Sequence, residues 1–212
     1  MKSIVIVIIV IIVIIINIPY PYDSQNKDSK ISFSYFNFKK ENYIKGYNQI
    51  YGVNVKTCEE NLLLLNKIMN QFKIDYWLSE GTALGAIRDK AIIPWDDDVD
   101  ISFMYSFREN FVNNVLPVLL DNGFVVARIL NNGNFIGLLR KYEKIDIDIV
   151  QENGFCNAGI TPYAKTNKCN DILNYLNNIN TISFLGTTFN VPSIDYLEYL
   201  YGPNWMIPSK KK

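Results

Sequence analysis

Two short segments, Asp98-Val-Asp-Ile-Ser-Phe103 and Lys144-Ile-Asp-Ile-Asp-Ile-Val150, constrain this chain more than any other feature. Each alternates polar or charged residues with β-branched or aromatic ones. Aspartate fits a pleated, half-buried surface badly and is depleted in strands. Strict period-two alternation is nonetheless a strand signature, placing Asp98, Asp100 and Ser102 on one face and Val99, Ile101 and Phe103 on the other. The second segment sets Ile145, Ile147 and Ile149 against Asp146 and Asp148. If the two strands are neighbours in one sheet, up to four carboxylates converge on one patch. Carboxylates so placed repel one another unless a cation or protons lie between them. Hard oxygen ligands suit Mg²⁺ or Mn²⁺ held between protein and substrate phosphates. The plainer alternative, a solvated acidic face, explains one such strand more readily than two with a Gly-Thr turn upstream.

Other readings of the acidic run fail on residue type or spacing. An EF-hand loop starting at Asp96 needs Gly at 101 and Glu at 107, where the chain has Ile101 and Phe107. The chain contains no His, which removes Ser-His-Asp and Cys-His catalysis and leaves only three Cys as soft zinc ligands. Formal charge is zero, so the net balance carries no nucleic-acid footprint. Carboxylate and metal chemistry remains.

The motifs around these strands extend the pattern. Gly81-Thr-Ala-Leu-Gly-Ala-Ile-Arg88 precedes Ile93-Pro-Trp-Asp-Asp-Asp-Val-Asp-Ile101, Asp146-Ile-Asp148 follows, and the chain closes with Val191-Pro-Ser-Ile-Asp-Tyr-Leu-Glu-Tyr-Leu-Tyr-Gly-Pro-Asn-Trp205. Over roughly residues 56 to 208 this ordered set resembles the LicD/fukutin family of nucleotidyltransferase-fold phosphotransferases, which includes fukutin-related protein and bacterial phosphocholine transferases. The resemblance implies transfer of a phosphocholine- or ribitol-phosphate-type group from a CDP-activated donor to a glycan hydroxyl. Transfer of NMP itself is the alternative within the same chemistry, and a catalytically silent membrane-anchored scaffold is the alternative outside it. The chain lacks a Cys/His set resembling the zinc module of larger relatives, so its acceptor surface is either absent or supplied by a partner.

Roles follow from residue type and from this resemblance. Asp98 and Asp100 are the leading metal ligands. Asp148 is the third carboxylate, as ligand or as general base, with Asp146 as its supporting neighbour. Asp96 orients a water or binds a second metal, while Asp97 reads as solvated. Gly81 permits close backbone approach to the donor phosphates, Thr82 offers a hydroxyl and a helix-start amide, and Arg88 supplies a planar fork for two phosphate oxygens. A salt bridge to an Asp is the alternative for Arg88. Trp95 and Trp205 brace the site, and Lys141 and Lys144 flank the second acidic strand.

Residues Ile4 to Ile16 form an unbroken apolar run of thirteen behind Lys2. That is shorter than the roughly 20 residues of a bilayer span and within the about 7 to 15 of a signal-peptide core. With Ile18, Tyr20 and Tyr22 at its exit it reads as an uncleaved signal anchor (residues 1–18) in preference to a cleaved signal peptide. A single-pass protein with a lumenal domain in the Golgi or ER membrane is expected, or a secreted one if the segment is removed. Residues 19–55 read as a stalk or N-terminal extension, 56–208 as the catalytic domain and 209–212 as a basic tail.

Within the domain, Thr57-Cys-Glu-Glu60 signals a capping box opening a helix with a Leu62, Leu65, Met69, Phe72 stripe. A strand over 75–78 leads to a brief helix, Thr82 to Arg88. A helix over 106–121 is either kinked at Pro117 or split into two shorter pieces, and strands over 124–129 and 135–142 flank an Asn131–Asn134 turn. A polar helix lies near 171–177, a short hairpin or strand near 181–191 and a last helix over 194–201. Cys156 and Cys169 either pair, leaving Cys58 free, or all three thiols are buried. The fold class is α+β: a nucleotidyltransferase-like mixed sheet carrying the Asp residues, with helices on its other face, preceded by the N-terminal hydrophobic segment.

Overall fold

The computed structural model describes residues 52–130, 133–151, 175, 176 and 178–209. The apolar segment Ile4–Ile16, the extension over 19–51, Asn131, Asn132, Cys156, Cys169, most of the expected 171–177 helix and the tail beyond Ser209 lie outside these residues. Among the described residues no helix is long and apolar enough to cross a membrane.

Helix α1 (Val55–Gln71) buries Cys58, Leu62, Leu65 and Met69 along one stripe. Its cap differs from the expected Thr57 box: the Asn54 side chain accepts from the Thr57 amide at 3.1 Å, so the helix begins earlier. Short polar side chains compete for the same orphan amides, and Asn caps as well as Thr. Strand β1 (Tyr76–Leu78) follows, then α2 (Glu80–Arg88) and β2 (Val99–Met104). Next come a 3₁₀ turn (Tyr105–Phe107), α3 (Arg108–Asn110), a π turn (Phe111–Val115) and α4 (Leu116–Asp121). Pro117 stands in the first turn of α4, where its missing N–H costs nothing. The stretch is thus divided into shorter pieces, one of the two outcomes expected of Pro117, with the irregularity in the π turn ahead of the proline.

Strands β3 (Val125–Leu130), β4 (Phe135–Arg140) and β5 (Glu143–Val150) complete a five-stranded sheet of order β1-β2-β5-β4-β3. Only β2 and β5 run parallel; the other neighbours are antiparallel. A separate hairpin, β6 (Asn180–Phe184) with β7 (Thr187–Val191), precedes α5 (Ile194–Tyr201). It is tied to the sheet by a 3.1 Å hydrogen bond from Asn190 Nδ2 to the Tyr76 carbonyl.

The two alternating segments divide as their pattern requires. Val99, Ile101, Phe103, Ile145, Ile147 and Ile149 are all buried, and α1 packs on β5 and α4. Phe103 and Phe111 pack with ring centroids 5.0 Å apart. Burying such side chains is worth about 1.5 to 3 kcal/mol each. A one-residue slip would turn all of them outward and bring the carboxylates into the core. The apolar face thus fixes which side of the sheet the aspartates occupy.

Candidate functional site

The parallel register of β2 and β5 builds the site row by row. Val99 stands opposite Ile145, Asp100 opposite Asp146, and Ser102 opposite Asp148. One step before the strand begins, Asp98 meets Lys144, whose Nζ lies 2.9 Å from Asp98 Oδ2 and 3.8 Å from Asp146 Oδ2. Asp98, Asp100 and Asp146 each present a carboxylate oxygen within 4.8 Å of the others. Sequence reasoning ranked Asp148 above Asp146; the register instead brings Asp146 to Asp98 and Asp100, and places Asp148 one row further along. Asp96, Asp97 and Asp98 form a second close group at the mouth of β2, where the Asp97 side chain is 73% exposed.

The upstream motif secures this arrangement. Thr82 Oγ1 accepts from the Asp100 amide at 2.8 Å, and the Ser79 amide donates to the Asp100 carbonyl at 3.1 Å. Ser102 and Ser79 hydroxyls meet at 2.9 Å in a buried contact. A Cβ at Gly81 would strike the Asp96 carboxylate, so the absence of a side chain there lets Asp96 fold against the start of α2. In this structure Thr82 therefore braces the start of β2 and Gly81 makes room for Asp96.

Arg88 spends its fork on a neighbour. Its Nε and Nη2 donate to Asp89 at 2.8 and 2.6 Å, and Nη1 donates to the Trp205 carbonyl at 3.3 Å. Trp205 is buried at this corner, whereas Trp95 is 40% exposed. Lys141 pairs with Glu60 rather than with the acidic face.

The electrostatics of the cluster are those of crowded anions. Burial, then Asp98 and Asp146, raise the Asp100 carboxyl well above the ordinary range. Burial pushes Asp146 up to about 7; Arg128 opposes the shift and Asp98 reinforces it. Asp148 is likewise pushed up to about 7 by burial and by Glu80, against the pull of Arg128. For Lys144, burial disfavours the ammonium, but Asp98 and Asp146 outweigh it and the net shift is upward. Asp146 is 5% exposed and has an Oδ1 without a hydrogen-bond partner. Fully ionised, the three clustered carboxylates outnumber Lys144 and Arg128, and without a further cation the crowding is relieved by protons. An all-oxygen, partly unsatisfied donor set of this kind fits a hard divalent cation.

Two residues of this face escaped the sequence reading. Arg128 on β3 is ion-paired with Asp146 through Nη2 and Oδ2 and lies over the Phe135 ring, 4.7 Å from its centroid. Glu80, beside Asp148, adopts a left-handed backbone (φ 43°), which side-chain-bearing residues rarely occupy. The Tyr196 hydroxyl lies 3.5 Å from Glu80 Oε1. A lone basic residue in the apolar run Val125–Leu130 was the available signal for Arg128; Glu80 gave none beyond its place before Gly81.

Comparison with known proteins adds an independent line. Residues 73–193 match the family described as LicD/FKTN/FKRP, nucleotidyltransferase domain. Ribitol-5-phosphate transferase FKTN of Homo sapiens is 27% identical over 163 residues, covering 73% of this chain and 34% of that protein. Lipopolysaccharide cholinephosphotransferase LicD of Haemophilus influenzae is 39% identical over 61 residues, 26% of this chain and 23% of that one. Both names denote transferases of phosphorus-containing groups. The chain thus spans from about a quarter to a third of the length of these curated relatives. Among solved structures, the lincomycin-bound lincosamide antibiotic adenylyltransferase LnuA superposes with a TM-score of 0.48 at 14% identity, covering 73% of this chain and 89% of that one.

Proposed function

The chain belongs to the LicD/FKTN/FKRP nucleotidyltransferase-domain family, and from that premise we propose that it transfers a phospho-substituted group, of the phosphocholine or ribitol-phosphate type, from a CDP-activated donor to a glycan hydroxyl. The observation that carries this reading is the row of Asp98, Asp100 and Asp146 on one sheet face, within 4.8 Å of one another and in excess over the cations beside them. In phosphoryl transfer the protein has little covalent chemistry to perform; it positions the groups and neutralises charge. Asp98, Asp100 and Asp146 would hold Mg²⁺ or Mn²⁺, with Asp96 at the edge of the set. Such an ion supplies charge neutralisation at the donor phosphates.

The remaining work falls to the chain itself. Asp148, one row beyond the cluster and pushed up to about 7, is poised near neutrality as general base. It takes the proton of the acceptor hydroxyl as that oxygen forms the new bond to phosphorus. The bond from the same phosphorus to the bridging oxygen breaks, and CMP leaves. Thr82 and Ser79 fix the backbone of Asp100, so the ligand strand is set before substrate arrives. Gly81 leaves room for the Asp96 carboxylate against the start of α2, and Arg88 reaches donor phosphate by exchanging Asp89 for it.

The test is product analysis with the full-length chain, Mn²⁺, CDP-ribitol or CDP-choline and a glycan acceptor. Release of CMP with a phospho-substituted acceptor is expected. Pyrophosphate from CTP together with a nucleotidylated acceptor would overturn the assignment in favour of NMP transfer. Absence of turnover and of metal-dependent thermal shift with every CDP-linked donor would point to a silent scaffold.

A further inference from the structure

A single line of residues crosses the sheet at the acidic site. Arg128 on β3 pairs with Gly137 on β4, Gly137 pairs with Asp146 on β5, and Asp146 pairs with Asp100 on β2. Arg128 reaches this line only through an irregularity. Val126 pairs with Leu138 and Arg128 with Gly137, so Ala127 is an extra residue in β3. Without it Arg128 would stand opposite Ile136, which pairs with Ile147 on the buried apolar face. Bulges re-aim side chains in this way and recur beside active sites. The one position between Arg128 and Asp146 is then a glycine for a steric reason. A Cβ there would lie 2.7 Å from Arg128 Cγ and 3.1 Å from Asp146 Oδ1. Phe135, under the guanidinium, supplies the floor on which it lies.

We propose that Arg128 is a positioning residue of the acidic site, reaching across the side-chain-free Gly137 to fix the Asp146 carboxylate beside Asp98 and Asp100. The proposal rests on the reading of that cluster as a cation site. Arg128 orients the ligand from the side opposite its partners: Nη2 holds Asp146 Oδ2 while the guanidinium lies over the Phe135 ring, which fixes the cation in place as a flexible ammonium is not fixed. Ligating carboxylates are commonly held by such outer hydrogen bonds, whose loss costs about 10- to 100-fold in metal affinity.

Mn²⁺ calorimetry on the full-length chain decides the matter, because the sign of the effect separates the two possible roles. Were Arg128 merely a cation near the site, Arg128→Ala would tighten Mn²⁺ binding by removing a like charge. As a positioning residue, its loss weakens binding at least tenfold, and Arg128→Lys restores only part. Gly137→Ala keeps the guanidinium but blocks its path, so it too weakens Mn²⁺ binding, with a much smaller further loss in the Arg128→Ala background, where only the 3.1 Å approach to Asp146 Oδ1 remains. Unchanged or tighter affinity in Arg128→Ala, or additive losses in the double variant, overturns the assignment and leaves the cation site standing. No Mn²⁺ binding by the unsubstituted chain overturns both together. If Arg128→Ala does not fold by circular dichroism, Gly137→Ala alone decides, with unchanged affinity refuting the proposal.

Discussion

Crowding carboxylates on a half-buried face has a measurable consequence: without metal, the folded protein loses stability as pH rises from 5 to 8. Asp146 and Asp148 are both pushed up to about 7 by burial and by neighbouring carboxylates, from an ordinary value of 3.8. A folded-state pKa above the unfolded one means that the native chain holds protons the unfolded chain has released. The stabilisation is complete below the unfolded value, falls through the window from about 4 to about 7, and is flat above. Each pH unit costs about 1.36 kcal/mol per group, so from pH 5 to 8 each contributes about 2.7 kcal/mol. Both interact with Arg128, and Asp146 also with Asp98, so the sum is discounted to a combined expectation of about 3 to 5 kcal/mol. For a chain of this size that is a fall in melting temperature of roughly 10 °C. No imidazole titrates in this window, and the raised Asp100 carboxyl adds to the fall in the same direction. The assay is thermal unfolding of the full-length chain across pH 5 to 8, in EDTA and in saturating Mg²⁺. Metal ionises its ligands at no such cost, so the slope should shrink in Mg²⁺, with about 2.7 kcal/mol gained at 100 times the dissociation constant. A melting temperature that is flat or rises with pH in EDTA refutes the electrostatic argument. An identical slope with and without metal refutes the assignment of these carboxylates to a cation site.

Further expectations concern single groups. Asp98→Asn and Asp100→Asn should abolish metal-dependent donor binding with the fold intact, and Asp100→Asn should raise the melting temperature in metal-free buffer by removing a like charge; unchanged Mn²⁺ affinity in both variants refutes the ligand assignment. If Arg88 exchanges Asp89 for donor phosphate, Arg88→Ala loses a charge-assisted contact of about 1.5 to 3 kcal/mol. Donor affinity then falls about one to two orders of magnitude while Mn²⁺ affinity holds, and Arg88→Lys recovers part of the loss. A lower melting temperature with unchanged donor affinity means that Arg88 only ties α2 to the Trp205 corner. The segment Ile4–Ile16 is expected to remain on the mature protein as an anchor; N-terminal sequencing that begins between Pro19 and Ser34 would show a cleaved signal.

What the sequence made legible, and what it did not, divides along one physical line. Alternation reports which face a side chain occupies, because it follows from the pleat alone. It therefore gave both acidic strands, and the last helix began and ended at Ile194 and Tyr201 as the pattern indicated. Pairing register is not a property of either strand by itself. Asp146 and Asp148 share the same local pattern, and only the parallel alignment of β5 on β2 sets Asp146 beside Asp100 and Asp148 beside Ser102. Arg128 was hidden for the same reason twice over: it comes from a third strand, through a bulge that leaves no mark in a run of apolar residues. Besides its own place as a lone basic residue in that run, its sequence correlate is Gly137, a glycine inside a strand, where interior glycine signals a bulge or a close approach. In this fold it signals the approach of Arg128 to Asp146. An unexplained strand glycine four residues before a turn into an acidic strand is thus a reason to look for a cation on the strand beyond it, and the Gly137→Ala experiment tests that rule directly.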